Sequence, residues 1–318
     1  MLLIPIGIVV FTLALAVLVL SFITYRLTFY NKRKLSTDPY YALDSEKMKP
    51  HAAISRRLID NLSERAYERI EIKAHDGRLL SGRYYHNRDG APLEIMFHGY
   101  KSTPIRDFSG GFDEAFCAGH NVILVDQRGH GGSYGKTITF GIKERRDCVD
   151  WVNYAVARFG SGVKILLVGI SMGAATVLYA SELELAPEVR GIVADCPYSS
   201  PELIIKKTAG EMGFPPNLVF PFIRLGGIIF GGFDVMERTP LDAVKNARLP
   251  LLLIHGDTDS FVPCDMSREL ATAYAADVCF AVFEGAEHGL SYLVDTEKYS
   301  SLVKEFHKKT LCEQENII

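Results

Sequence analysis

From Leu2 to Tyr25 the chain carries no charged side chain and is dense in Leu, Ile, Val, Phe and Ala, a run long enough to cross hydrocarbon as one helix. It is apolar on every face, which a core helix of a soluble domain seldom is, so it reads as a membrane span. Residues 31–66 are charged and mixed, and Arg56 to Leu62 has the spacing of a short amphipathic helix. The period then drops to two. Ile70 to Ala74 and Leu79 to Tyr85 alternate as half-buried strands do, and Asp76-Gly77 between them is a hairpin signal. Further on, short continuous apolar runs at 95–97, 122–125, 165–168, 192–194, 251–254 and 280–283 read as strands buried on both faces. Segments between them, such as 143–158 and 266–276, are long enough for crossover helices. The alternation predicts a parallel α/β sheet covered on both sides, with antiparallel pairing from the opening hairpin at one edge. The interval 199–247 is too long for a single crossover. Its middle, Phe214 to Phe233, is rich in Phe, Pro, Ile and Gly and reads either as a cap over the carboxyl edge of the sheet or as ordinary helical packing.

At 318 residues and 48% apolar content there is material for one full domain plus an anchor and an insertion. A net charge of -3 with scattered positive residues leaves no basic footprint for nucleic acid. The six cysteines show no C-x-x-C spacing, and several lie inside apolar runs, which reads as buried free thiols rather than disulfides or a zinc site. The N-terminal run has no Lys or Arg before it and no small-x-small site after it, as a cleaved signal peptide would, so an uncleaved anchor is expected. Arg26, Lys32, Arg33 and Lys34 follow it directly, and the positive-inside tendency then puts the remainder of the chain in the cytoplasm.

The chemistry centres on Gly169-Ile170-Ser171-Met172-Gly173, a G-x-S-x-G stretch between an apolar run and the helix formers Ala174 to Ala180. Strand, tight turn and helix are the context in which such a serine is presented as a nucleophile. A serine hydroxyl needs a base to take its proton and a third group to orient that base. Downstream, Asp257 and Asp259 follow the run ending at Ile254, and His288 follows the run ending at Phe283. All three therefore fall on the same edge of the sheet as Ser171. Asp257 and Asp259 compete for the acid's role, and the loser reads as a turn residue accepting backbone hydrogen bonds. His98 and His255 also end apolar runs and precede glycine, so each has the position of a base.

These residues give the chain a resemblance to the α/β-hydrolase superfamily over roughly residues 67–312, and within it to membrane-anchored bacterial esterase/lipase-like and serine aminopeptidase-like hydrolases. The matching elements are His98-Gly99-Tyr100, Asp126 to Ser133, Gly169 to Gly173, His255 to Pro263 and His288-Gly289. The resemblance implies a mostly parallel eight-stranded sheet with helices on both faces, and a small cap. It implies Ser171 as nucleophile, Asp259 as acid and His288 as base, with an oxyanion hole from the backbone amides of Tyr100 and Met172. His98, His130 and His255 become residues that brace the loops. The expected organisation is an anchor over 1–30, a linker and lead-in helix over 31–66, and a hydrolase domain over 67–318 with its cap at about 199–247. The expected activity is cleavage of carboxylic esters, lipid-like or short, through an acyl-enzyme. A peptidase, amidase or thioesterase on the same triad is the alternative, and a non-catalytic tethered binding module a further one. With no phosphate-binding glycine loop and no metal-ligand spacing, neither cofactor nor metal is expected. Beyond a small acyl substrate and the membrane, no partner is implied.

Overall fold

The computed structural model describes residues 3–32, 38–41, 43 and 45–312. Helix α1 (Leu3–Thr28) leads, and the amphipathic helix α2 (Ala52–Ser63) follows. Eight strands then form one sheet: β1 (Glu68–Lys73), β2 (Leu79–Tyr85), β3 (Leu93–Phe97), β4 (Asn121–Asp126), β5 (Ile165–Ile170), β6 (Val189–Asp195), β7 (Leu251–Gly256) and β8 (Val278–Phe283). Their order is β1-β2-β4-β3-β5-β6-β7-β8. β2 pairs antiparallel with both of its neighbours, and every other pairing is parallel, so β2 alone runs against the rest. Of the strands expected from continuous apolar runs, β3 and β7 are buried at every position, but β8, at the sheet edge, is only half-buried, because one of its sides has no neighbouring strand.

The helices are α3 (Pro104–Cys117), α4 (Glu144–Phe159), α5 (Met172–Ala180), α6 (Pro201–Glu211), α7 (Pro216–Gly226), α8 (Pro240–Ala243), α9 (Cys264–Ala273), α10 (Ser291–Val294) and α11 (Thr296–Leu311). Local chemistry sets their starts. Thr103 accepts a hydrogen bond from the amide of Arg106 and Pro104 occupies the first turn of α3, while the Asp295 carboxylate caps α11 through Lys298. One face of the sheet packs on Trp151, Val152, Leu178 and Leu270, the other on Phe108, Phe112, Val303 and Phe306. α2 joins the second face, burying Ile59 and Leu62 against the α3 side. All six cysteines are free; Cys148, Cys196 and Cys264 are buried as expected, but Cys117, Cys279 and Cys312 are exposed.

A third apolar cluster lies beside α5. Within the 199–247 interval, α6, α7 and a π-helical turn at Gly227–Gly231 bury Ile204, Ile205, Phe220, Ile223 and Phe233 against Met172 and Tyr179. Tyr25 and Phe29 of the N-terminal segment belong to the same cluster. α1 is apolar and long enough to cross a membrane over Ile6–Thr28, and its first part stands free of the protein. Its last turns do not. A Cβ on Gly226 would lie 2.3 Å from the Ser21 carbonyl oxygen, so α7 meets α1 at a distance only a glycine permits. Tyr25 Oη is 2.7 Å from Thr137 Oγ1, and the Asn31 amide nitrogen of the side chain donates to the Gly129 carbonyl at 3.0 Å. The last turns of α1 and the residues just after it, from Ser21 to Asn31, are thus packed on the domain.

Candidate active site

Ser171 sits in the turn between β5 and α5 with φ +56° and ψ -115°, a conformation that costs an ordinary L-residue about 1–3 kcal/mol. Its flanking glycines allow the turn. A Cβ on Gly169 would lie 2.4 Å from the Gly173 carbonyl carbon, and one on Gly173 would lie 1.7 Å from the Phe97 carbonyl oxygen. Any side chain at either place would push α5 off the sheet.

Ser171 Oγ is 2.9 Å from His288 Nε2, and His288 Nδ1 is 2.7 Å from Asp259 Oδ2. Asp259 is buried and its other oxygen accepts from the amides of Phe261 at 2.9 Å and Val262 at 2.8 Å. Burial alone would raise its carboxyl, but hydrogen bonds from His255 and His288 outweigh that and hold it well below the usual carboxylate range. Asp257 is apart from this chain: its carboxylate accepts from the Gly285 amide at 2.7 Å, the turn role left open for the loser of the pair. Phe261 stacks edge-on against the His288 ring.

The three other histidines at the carboxyl edge, His98, His130 and His255, hold loops. His255 Nδ1 is 2.6 Å from Ser267 Oγ and its Nε2 is 2.9 Å from the Val262 carbonyl, tying the Asp259 loop to α9. His98 Nε2 accepts from the Gln127 amide at 3.2 Å, and His130 Nε2 accepts from the Lys101 amide at 3.1 Å. Burial holds His130 well below the ordinary imidazole range, which keeps it neutral and able to accept there. These bonds shape the 98–102 loop, where a Cβ on Gly99 would come 3.3 Å from Ser171 Cβ. Tyr100, on this loop after β3, lines the same cavity as Ser171, and Met172 opens α5 directly after the serine.

Two residues were missed from sequence. Asp107, in the first turns of α3, accepts from the Gly99 amide at 2.7 Å and from Ser102 Oγ at 2.5 Å, and so orders the same loop from below. Asp195, at the carboxyl end of β6, lines the cavity at Ser171 and is buried. It directly follows the apolar run 192–194, the same signal that marked Asp257 and Asp259. Burial pushes its carboxyl up to about 7, against about 3.9 for an unfolded aspartate. Between those values the folded protein keeps a proton that the unfolded chain has lost, so this group erodes stability as pH rises from 4 to 7, and the loss is complete above that. Asp195→Asn is therefore expected to raise Tm by more at pH 8 than at pH 5. Thermal scans of both proteins at the two pH values test this; an equal gain, or a larger one at pH 5, would count against it.

The cavity at Ser171 measures about 220 Å³ and is lined by Leu43, Met48, Ile59, Phe108, Tyr292 and Leu293 among others. None of its lining residues comes from the 199–247 interval. Of the two readings of Phe214 to Phe233, helical packing is the one its buried residues support: Phe220, Ile223 and Phe233 pack with Tyr25, Phe29 and Met172, while Leu43, Met48 and Ile59 of the lead-in segment line the cavity. Among the described residues, Glu94, His120 and His307 are close enough to hold a metal, as are His75, Asp147 and Asp150. Glu94 lies near the amino end of β3, away from Ser171, and its carboxylate is 2.7 Å from His120 and 3.2 Å from His307.

A family profile described as alpha/beta hydrolase fold matches residues 96–217. YqkD of Bacillus subtilis, an uncharacterized protein, is 28% identical over 269 residues, which cover 82% of this chain and 88% of YqkD. The esterase Pf2001 of Pyrococcus furiosus superposes with a TM-score of 0.67 at 25% identity, over 80% of this chain and 94% of the esterase. An acylaminoacyl peptidase of Pyrococcus horikoshii shares the fold, with a TM-score of 0.57 at 20% identity over 81% of this chain and 44% of the peptidase. The strand order, the serine turn at the carboxyl edge and these likenesses together show that the chain has the α/β-hydrolase fold.

Proposed function

We propose that the protein is a membrane-anchored serine hydrolase that cleaves carboxylic esters. The observation that carries this is the unbroken line from Ser171 Oγ through His288 to Asp259, with contacts of 2.9 and 2.7 Å. In this reading His288 Nε2 takes the serine proton as Oγ attacks the ester carbonyl. Asp259 holds the proton on Nδ1 and steadies the imidazolium. The amides of Met172 and Tyr100 receive the oxyanion. The alcohol leaves with the proton from His288, and water, activated by the same imidazole, releases the acid from Ser171. Amides and thioesters form the same acyl-enzyme, so leaving-group preference is a matter for assay rather than of the triad.

A cavity of about 220 Å³ lies below the usual range for drug-sized ligands, about 300–1,000 Å³, which favours short and medium acyl groups. With p-nitrophenyl esters of increasing length, the expected optimum is between butyrate and octanoate, with palmitate at least about tenfold slower. A flat profile, or palmitate as the best substrate, would reject the cavity as the acyl site. Turnover of aminoacyl amides with refusal of every ester would move the protein to the peptidase reading.

We read α1 as an uncleaved anchor, since cleavage behind it would strip the buried Ser21 and Tyr25 from the domain. The basic residues after the span favour a cytoplasmic domain. Protection of the domain from protease added outside intact cells is the expected result, and digestion would overturn that topology.

A further inference from the structure

A second cavity, of about 660 Å³, opens where α1 leaves its apolar span. Its wall carries six basic side chains: Arg26 from the last turn of α1 and Lys32 just after it, Arg69 and Arg83 from β1 and β2, Lys101 from the loop before α3 and Arg106 from its first turn. The carboxylates on the wall are Asp38 and Asp126, and Asp126 already accepts from the Gly132 amide at 2.9 Å. Of the six cations, Arg69 alone has a carboxylate within ion-pair distance among the described residues, Glu71 at 2.8 Å. Rings orient others: the Arg26 guanidinium lies 3.6 Å from the centre of Tyr30, and that of Arg83 lies 5.0 Å from the centre of Tyr67. Lys101 reaches back to the Leu27 carbonyl at 3.1 Å, binding this wall to α1.

So many unpaired positive charges around one concavity repel each other unless an anion sits among them. Guanidinium forks match a phosphate's oxygens in geometry and charge. The depth is also informative. Arg26 falls within one turn of the end of the span, with Tyr25 and Tyr30 on either side of it, the position of an interfacial anchor at the level of lipid headgroups. We propose that this cavity seats the phosphate of an anionic phospholipid from the bilayer that α1 crosses. The inference rests on reading α1 as a span, not on ester cleavage. Ser102 and Arg106 line both this cavity and the one at Ser171, so a lipid held here would lie beside the active site.

The test uses full-length protein carrying Ser171→Ala, so that no lipid is consumed, in a nonionic detergent, with calorimetry as the readout. Dioctanoyl phosphatidylglycerol is expected to bind at least about tenfold more tightly than dioctanoyl phosphatidylcholine. Arg83→Gln with Arg106→Gln is expected to weaken it by at least about tenfold, and neither change orphans a carboxylate. Arg26→Gln with Lys32→Gln attacks the cavity from the other side and is expected to act likewise, which keeps the test alive if the first pair fails to fold. Equal binding of the zwitterionic lipid, or unchanged affinity in a folded pair, would overturn the proposal. Displacement of the lipid by inorganic phosphate at comparable concentration would assign the cavity to free phosphate and overturn the lipid source.

Discussion

Ser171→Ala is expected to lower kcat by about 10⁴- to 10⁶-fold with little change in Tm, because the serine hydroxyl contributes one exchangeable hydrogen bond to folding and everything to acyl transfer. Asp259→Asn is expected to cost about 10⁴-fold by a different route. The carboxylate accepts the amides of Phe261 and Val262 on one oxygen and faces His288 and His255 with the other. An amide NH₂ in the second position would donate where an acceptor is required and turn the His288 tautomer the wrong way. Asp257→Asn is the control, two residues away. Its oxygen only accepts from Gly285, which an asparagine oxygen does equally well, so activity within about threefold of the parent is expected. Initial rates on the best p-nitrophenyl ester measure all three. Loss of activity in Asp257→Asn with retention in Asp259→Asn would exchange the two aspartates, and full activity in Ser171→Ala would end the serine mechanism.

The legible part of this site shares one cause. Ser171, Asp259 and His288 each follow a strand that prints as a continuous apolar run, buried on both faces in β5 and β7 and half-buried in the edge strand β8, and the ends of such runs mark the carboxyl edge of the sheet. Topology does the rest, since consecutive parallel strands must deliver those ends to one side. Asp195 and Asp107 escaped for opposite reasons. Asp195 carries the same run-end signal but belongs to no motif, and Asp107 lies in α3, whose many polar residues and paired glycines hide its apolar stripe. The apolar part of the cavity's lining was not legible. Leu43, Met48 and Ile59 lie in a charged, mixed segment, and their contact with the site depends on α2 lying across α3. The interval 199–247 was legible only as two alternatives, a cap or helical packing, and most of its buried apolar residues pack with α1 and α5. Composition says that a segment needs an apolar partner, and only the three-dimensional arrangement says which.

The docking of α1 has the largest consequence for stability. Phe29 is fully buried, edge-on to Phe140 at 5.8 Å and to Phe233 at 5.0 Å between ring centres. Phe29→Ala is expected to destabilise the domain by about 3–5 kcal/mol, the usual cost of emptying an aromatic site in a close-packed core. Phe11→Ala, on the exposed part of α1, is expected to leave the domain's unfolding unchanged. Denaturant melts in detergent, followed through the buried Trp151, compare the two. The same packing predicts how the chain tolerates shortening. A fragment beginning at Ser21 keeps the Ser21–Gly226 contact, Tyr25 and Phe29, and should fold and turn over ester. One beginning at Asn31 loses all three, along with the carbonyls of Leu27 and Thr28 that hold Lys101 and the Tyr100 hydroxyl. Because Tyr100 belongs to the loop beside Ser171, the shorter fragment should lose activity at temperatures where it remains folded. Equal stability and equal turnover in the two fragments would make α1 a detachable tether. A loss confined to the shorter one would make the last two turns of the span part of the active site's frame.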